Sequence, residues 1–158
     1  MNTFSNQQIK QYKDDGFIIA KKLFSNDEIT NISSWIDKLV VSAPRIGKDM
    51  YYYEDDLRKP GEKILNRLEK FCDYNKQALE LAYTNRIINR LQQLFGEKPI
   101  LFKDKINFKN PGGSGFKAHQ DIQSGWLDYA TSFISVLITI DKSTSENGCL
   151  EIVSGQHK

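Results

Sequence analysis

The hydrophobic period of this chain changes once, near Pro99, and that change restricts the folds open to it. Before Pro99 the apolar residues recur mainly at helical spacing, and after it they alternate or run continuously, as in β-strands. Ser5 and Gln8 match a capping box, Phe4 and Ile9 are spaced as a hydrophobic staple, and Gly16 is placed to end a short helix. Phe17-Ile18-Ile19-Ala20 then reads as a strand entering the core. The start signal recurs at Ser25 and Glu28, with Phe24 and Ile29 as the staple. Behind it, Ile29, Ile32, Trp35, Ile36, Leu39 and Val40 share one helical face. Residues 72–83 and 85–95 predict two more helices, the second stopping at Gly96.

Residues 100–102, 105–109, 132–140 and 150–153 predict strands, with Asn147-Gly148 as a turn and 111–115 as a flexible loop. Helices first and strands afterwards imply an α+β fold, with helices covering one face of an antiparallel sheet. At 158 residues, one domain is the expectation. The 22 Lys and Arg against 20 Asp and Glu leave a charge of +2, which gives no footprint for nucleic acid. No apolar run approaches the roughly 18–20 residues that span a bilayer, and the start has no signal-peptide core, so no membrane partner is expected. Cys72 and Cys149 are too few for a disulfide framework or a Cys-rich zinc site, which predicts a reducing, cytoplasmic setting.

Only two histidines are present, so any metal argument must fit inside that number. His119-Gln120-Asp121 is the sharpest candidate, because positions i and i+2 of an extended segment point to one face and bring imidazole and carboxylate onto one ion. That donor pair suits a divalent metal such as non-haem Fe(II). The same spacing also describes a surface His paired with Asp. Upstream, Lys105, Asn107 and Lys109 share a strand face that would offer ammonium and amide donors to a carboxylate, or else form a solvated edge. The glycines at 112–115 lack the spacing of a phosphate cradle and precede a β segment. Tyr51-Tyr52-Tyr53 and Trp126 are pocket walls or ordinary packing.

His119-Gln120-Asp121, the long strand ending at Asp141, Asn147-Gly148-Cys149-Leu150, and the turn Gly155-Gln156-His157-Lys158 occur in that order. Together they resemble the phytanoyl-CoA dioxygenase family of non-haem iron, 2-oxoglutarate-dependent oxygenases. Asp14-Asp15-Gly16-Phe17-Ile18-Ile19, followed by Leu23-Phe24-Ser25 and Glu28, is similar to the family's opening strand and helix. Residues 103–113 look closest to its organophosphonate (2-aminoethylphosphonate) dioxygenases.

The resemblance implies a double-stranded β-helix (jelly roll, cupin-like) with N-terminal buttressing helices. Residues 1–98 would be mainly the helical buttress and 99–158 the first strands of the roll, the N-terminal portion of a single oxygenase domain. It implies His119 and Asp121 as iron ligands, with Fe(II) as cofactor and 2-oxoglutarate and O2 as cosubstrates. A small substrate, such as an organophosphonate, would be hydroxylated with release of succinate and CO2. Lys105 and Asn107 are the candidates for cofactor binding, and Tyr52, Gln120 and Trp126 for the substrate pocket. His157 matches the family's turn histidine, which is not a ligand. The family's third ligand, a distal His, and its 2-oxoglutarate-binding Arg have no counterpart in these residues, so an incomplete barrel is expected. A complementing C-terminal segment or a second copy of the chain would then complete it. The alternative is an inactive fragment or a β-sandwich binding module without a complete metal site.

Overall fold

The computed structural model describes residues 3–157. Its elements are α1 (Asn6–Asp15), α2 (Asn26–Val41), β1 (Met50–Asp55), β2 (Lys63–Glu69), α3 (Lys76–Ala82), α4 (Asn85–Phe95) and β3 (Lys105–Asn107). Three 3-10 turns follow at Asp121–Ser124, Trp126–Asp128 and Ser145–Asn147. Both expected capping boxes form: Ser5 with Gln8 on α1, and Ser25 with Glu28 on α2. Gly16 and Gly96 end α1 and α4 in the left-handed conformation. Each of these devices acts within one turn of chain, so local residues suffice to set it.

Ile32, Trp35 and Leu39 of α2 pack on Leu68 of β2 and on Phe71, with the Trp35 and Phe71 rings 6.3 Å apart. Leu68 is completely buried. The sheet is antiparallel in the order β1-β2-β3, with a bulge between Tyr52 and Tyr53. Tyr51, Leu68 and Ile106 turn one face toward α2, which leaves Tyr52, Arg67 and Asn107 on the other. At the exit of β2, Lys70 takes a left-handed backbone (φ 60°). The N–H groups of Lys70, Phe71 and Cys72 there donate to the Asp104 carboxylate at 3.0, 2.8 and 2.6 Å. That carboxylate ties the end of β2 to the entry of β3.

The α+β class holds, with helices packed on an open three-stranded sheet. A closed double-stranded β-helix is not present among the described residues. Residues 17–20, 100–102, 132–140 and 150–153 form no strand. A strand requires a ladder partner, and none of the described segments supplies one. Val136, Leu137, Ile152 and Val153 consequently stay exposed. The helix expected over 72–83 begins only at Lys76, where Asn75 caps it. The β1–β2 hairpin forms in a stretch to which the sequence reading assigned no element.

The glycine loop is anchored, contrary to the flexible loop expected. Glu54 accepts from Ser114 N–H at 3.0 Å, from the Ser114 hydroxyl, and from Asn66 Nδ2 at 2.8 Å. These donors hold its carboxyl below the usual range, the Ser114 hydroxyl foremost. At Gly112 (φ 96°) an added Cβ would lie 2.1 Å from Asp56 Oδ1, so the close approach requires glycine.

Candidate functional site

Gln120 is extended (φ −108°, ψ 132°), which turns the side chains of His119 and Asp121 to one side as the spacing predicts. Asp121 itself opens a 3-10 turn instead of continuing a strand. His119 Nε2 and Asp121 Oδ1 are 3.6 Å apart, both partly exposed. His119 Nδ1 lies 2.6 Å from the Lys117 carbonyl. A carbonyl only accepts, so this contact calls on Nδ1 as the donor and turns Nε2 toward the carboxylate. Ser135 Oγ donates to Asp121 Oδ2 at 2.8 Å and orients the other oxygen. An imidazole nitrogen and a carboxylate oxygen facing each other at this spacing can pair directly or share a cation. The donor set therefore fits a divalent metal with imidazole and carboxylate preference. No third His, Cys, Asp or Glu joins them among the described residues.

The Gln120 side-chain amide donates to the Gln156 carbonyl at 2.5 Å. The turn carrying Gln156 docks on α1. Gly155 N–H donates to Asp15 O at 2.8 Å, Ser154 Oγ to Asp15 Oδ1 at 2.8 Å, and His157 Nε2 sits 3.2 Å from Lys13 O. The His157 ring packs on Gly16, where an added Cβ would meet Nδ1 at 2.3 Å. His157 is thus engaged in the turn, as the sequence comparison with the family's turn histidine implies. Lys158, the last residue of that motif, lies outside the described residues.

Trp126 joins Phe102, Tyr129 and Phe133 in an aromatic cluster, with ring centroids 4.9–5.4 Å apart. Phe133 lies two residues before Ser135, so the cluster is joined to the His119–Asp121 pair through this stretch of chain. Phe102 also lines a cavity of about 320 Å³ with Met50, Glu69, Cys72 and Lys103. Burial pushes the Cys72 thiol up to about 12, which removes it as a ligand or nucleophile at neutral pH.

Lys105, Asn107 and Tyr52 are brought together on the sheet face opposite the core: Asn107 pairs with Arg67, Arg67 with Tyr52, and Lys105 with Glu69. Arg67, at the middle of that face, is the residue that sequence reasoning missed. The available signal was the β-prone Tyr51-Tyr52-Tyr53, a turn at Gly61, and the run of residues 63–69.

The phytanoyl-CoA dioxygenase (PhyH) family matches residues 12–158. A 2-aminoethylphosphonate dioxygenase from an uncultured bacterium is 36% identical over 155 residues, covering 98% of this chain and 59% of that protein. A methylphosphonate hydroxylase from Gimesia maris is 28% identical, covering 99% and 58%. A probable alpha-ketoglutarate-dependent hypophosphite dioxygenase from Stutzerimonas stutzeri is 29% identical, covering 98% and 54%. The chain therefore spans less than two thirds of the length of these relatives. No helix among the described residues is long and apolar enough to cross a membrane. With a family match running from α1 to the turn at Gly155, and with His119 and Asp121 converging inside it, the chain belongs to the phytanoyl-CoA dioxygenase family.

Proposed function

We propose that this chain supplies the first part of an Fe(II)- and 2-oxoglutarate-dependent dioxygenase that hydroxylates a small organophosphonate. The observation that carries this is the His119–Asp121 pair, with its ring oriented by the Lys117 carbonyl and its carboxylate by Ser135. The relatives named 2-aminoethylphosphonate dioxygenase and methylphosphonate hydroxylase support the substrate class. His119 and Asp121 would hold the iron. Bound iron would let O2 react with the keto acid and the substrate, one oxygen atom converting a C–H group to C–OH and the other entering succinate as CO2 is lost.

The protein's own part is binding and orientation. The Lys117 carbonyl holds the His119 ring through Nδ1, which would present Nε2 to the metal as the donor atom. Lys105 and Asn107 would contact the ligand's anionic groups from β3. Trp126, with Phe102 and Phe133, would wall the substrate side and exclude water, and Tyr52 would support the polar face from β1. The exposed Val136, Leu137, Ile152 and Val153 favour a complementing C-terminal segment that pairs with these extended residues and brings the third ligand. The setting would be the cytoplasm, where Cys72 and Cys149 stay as the free thiols found here.

The test is an anaerobic titration of the chain with Fe(II) and 2-oxoglutarate, reading the visible charge-transfer band of the keto-acid chelate. A band that disappears in Asp121→Ala is the expected result. A band of equal strength in that variant, or none in the parent chain, would sink the reading.

A further inference from the structure

On the open face of the sheet, Tyr52, Arg67 and Asn107 stand directly opposite one another across three strands. Such neighbours have Cβ atoms about 5 Å apart and act as one surface. The Arg67 guanidinium lies over the Tyr52 ring, 4.2 Å from its centroid. Its Nε sits 2.9 Å from Glu69 Oε1, close enough for ion pairing, although neither atom is aligned for a hydrogen bond. Glu69 is 6% exposed and takes Lys103 Nζ on its other oxygen at 3.1 Å.

The ring fixes the plane of the guanidinium and the carboxylate fixes its Nε edge. The two terminal Nη groups make no hydrogen bond to the described residues. Asn107 and Lys105, next to them on β3, likewise leave their side-chain donors unpartnered among the described residues. A planar fork held at two points, with both outward N–H groups free, is pre-organised for two oxygens of one anion. Three cations (Arg67, Lys103, Lys105) face one carboxylate (Glu69), which leaves an excess of +2 on this surface. A carboxylate ligand would fill the fork and neutralise half of that excess. A phosphonate dianion would match it, and its third oxygen would reach the amide of Asn107 or the ammonium of Lys105.

We propose that Arg67, with Asn107 and Lys105 beside it, is the headgroup site for a phosphonate dianion. The assignment deepens the reading above and rests on it for the reaction, but binding of the headgroup requires no metal. It gives Lys105 and Asn107 to the substrate and not to the keto acid.

The probe is methylphosphonate, titrated into the intact metal-free chain and followed by 31P NMR, with succinate as the competing carboxylate. Saturable binding is expected, and it should weaken roughly 10-fold or more in Arg67→Met and in Arg67→Lys. Arg67→Lys keeps the charge beside Glu69, so its unchanged melting temperature would separate loss of the fork from loss of the fold. Asp121→Ala should bind methylphosphonate like the parent chain. If the iron titration fails while this binding persists, the metal reading falls and the anion site stands. Absence of saturable binding, parent-like affinity in Arg67→Lys, or tighter binding of succinate than of methylphosphonate would each overturn the proposal.

Discussion

Gln120 donates its side-chain amide to the main-chain carbonyl of Gln156, 36 residues further along the chain. The bond matters because of what lies on either side of it. Gln120 separates His119 from Asp121, and Gln156 belongs to the turn that docks on the end of α1 through Asp15 and Lys13. The two donor atoms of the candidate metal pair are thereby tied to the first helix. Partners of this kind orient metal ligands without touching the metal.

Removing that bond should loosen the pair and leave the core intact. Gln120→Met keeps the length of the side chain but not its donor. We expect its affinity for Co(II), followed by visible absorption, to fall roughly 10-fold or more. The melting temperature should hardly change, since Gln120 is exposed. Equal Co(II) affinity in the variant would show that the bond has no positioning role.

Gly16 combines two requirements, a left-handed backbone (φ 84°) and space for the His157 ring. Gly16→Ala should therefore lower unfolding stability by about 2 kcal/mol or more, because the φ cost of about 1–2 kcal/mol adds to the clash. In His157→Ala the clash is gone, so Gly16→Ala should cost less there. Urea unfolding of the four-member cycle measures the difference; equal costs in both backgrounds would exclude the ring contact.

Acid sensitivity should centre on Glu28. The Arg86 guanidinium, followed by the Ser25 backbone N–H, lowers its carboxyl from 4.5 to about 2. Because the folded value lies below the unfolded one, the stabilisation is fully present above about 4.5. It is lost as pH falls through about 2. Glu28→Gln should be less stable at neutral pH and show a flatter decline between these values in pH-dependent urea melts. A parent-like slope in the variant would rule out this carboxylate as a source of the acid dependence.

Leu68 has no exposed surface and sits beneath Trp35 and Leu39. Leu68→Ala should cost about 2–5 kcal/mol, the range for a buried Leu whose cavity does not collapse. Ile106→Ala, at a partly buried position on the same face, should cost less. Chemical denaturation of both variants gives the comparison, and a loss under about 1 kcal/mol for Leu68→Ala would mean that the site collapses fully.

Several parts of this molecule were legible in residues close together in the chain. The Ser5 and Ser25 capping boxes, the Gly16 and Gly96 stops, the α2 face around Trp35, and the His119–Asp121 convergence all appear as expected. Each depends on interactions spanning four residues or fewer, or on a repeat within one helix, so backbone geometry is enough to produce it. The order of motifs from Asp14 to His157 also sufficed to identify the family.

Other features depended on which distant segments meet. The β1–β2 hairpin sets Arg67 against Tyr52 and the β2–β3 pairing sets it against Asn107, and no local pattern encodes that register. Asp104 collects three N–H groups from residues 70–72, Gly112 closes on Asp56, and His157 covers Gly16, all across long stretches of chain. The β-prone residues 132–140 show the same dependence in reverse: their propensity is high, yet they form no strand for want of a neighbouring one. Local chemistry determined the capped helices and the His119–Asp121 spacing. Tertiary structure decided the sheet, the Tyr52–Arg67–Asn107 row and the tether of Gln120, because a ladder or a cross-chain hydrogen bond exists only once both partners are in place.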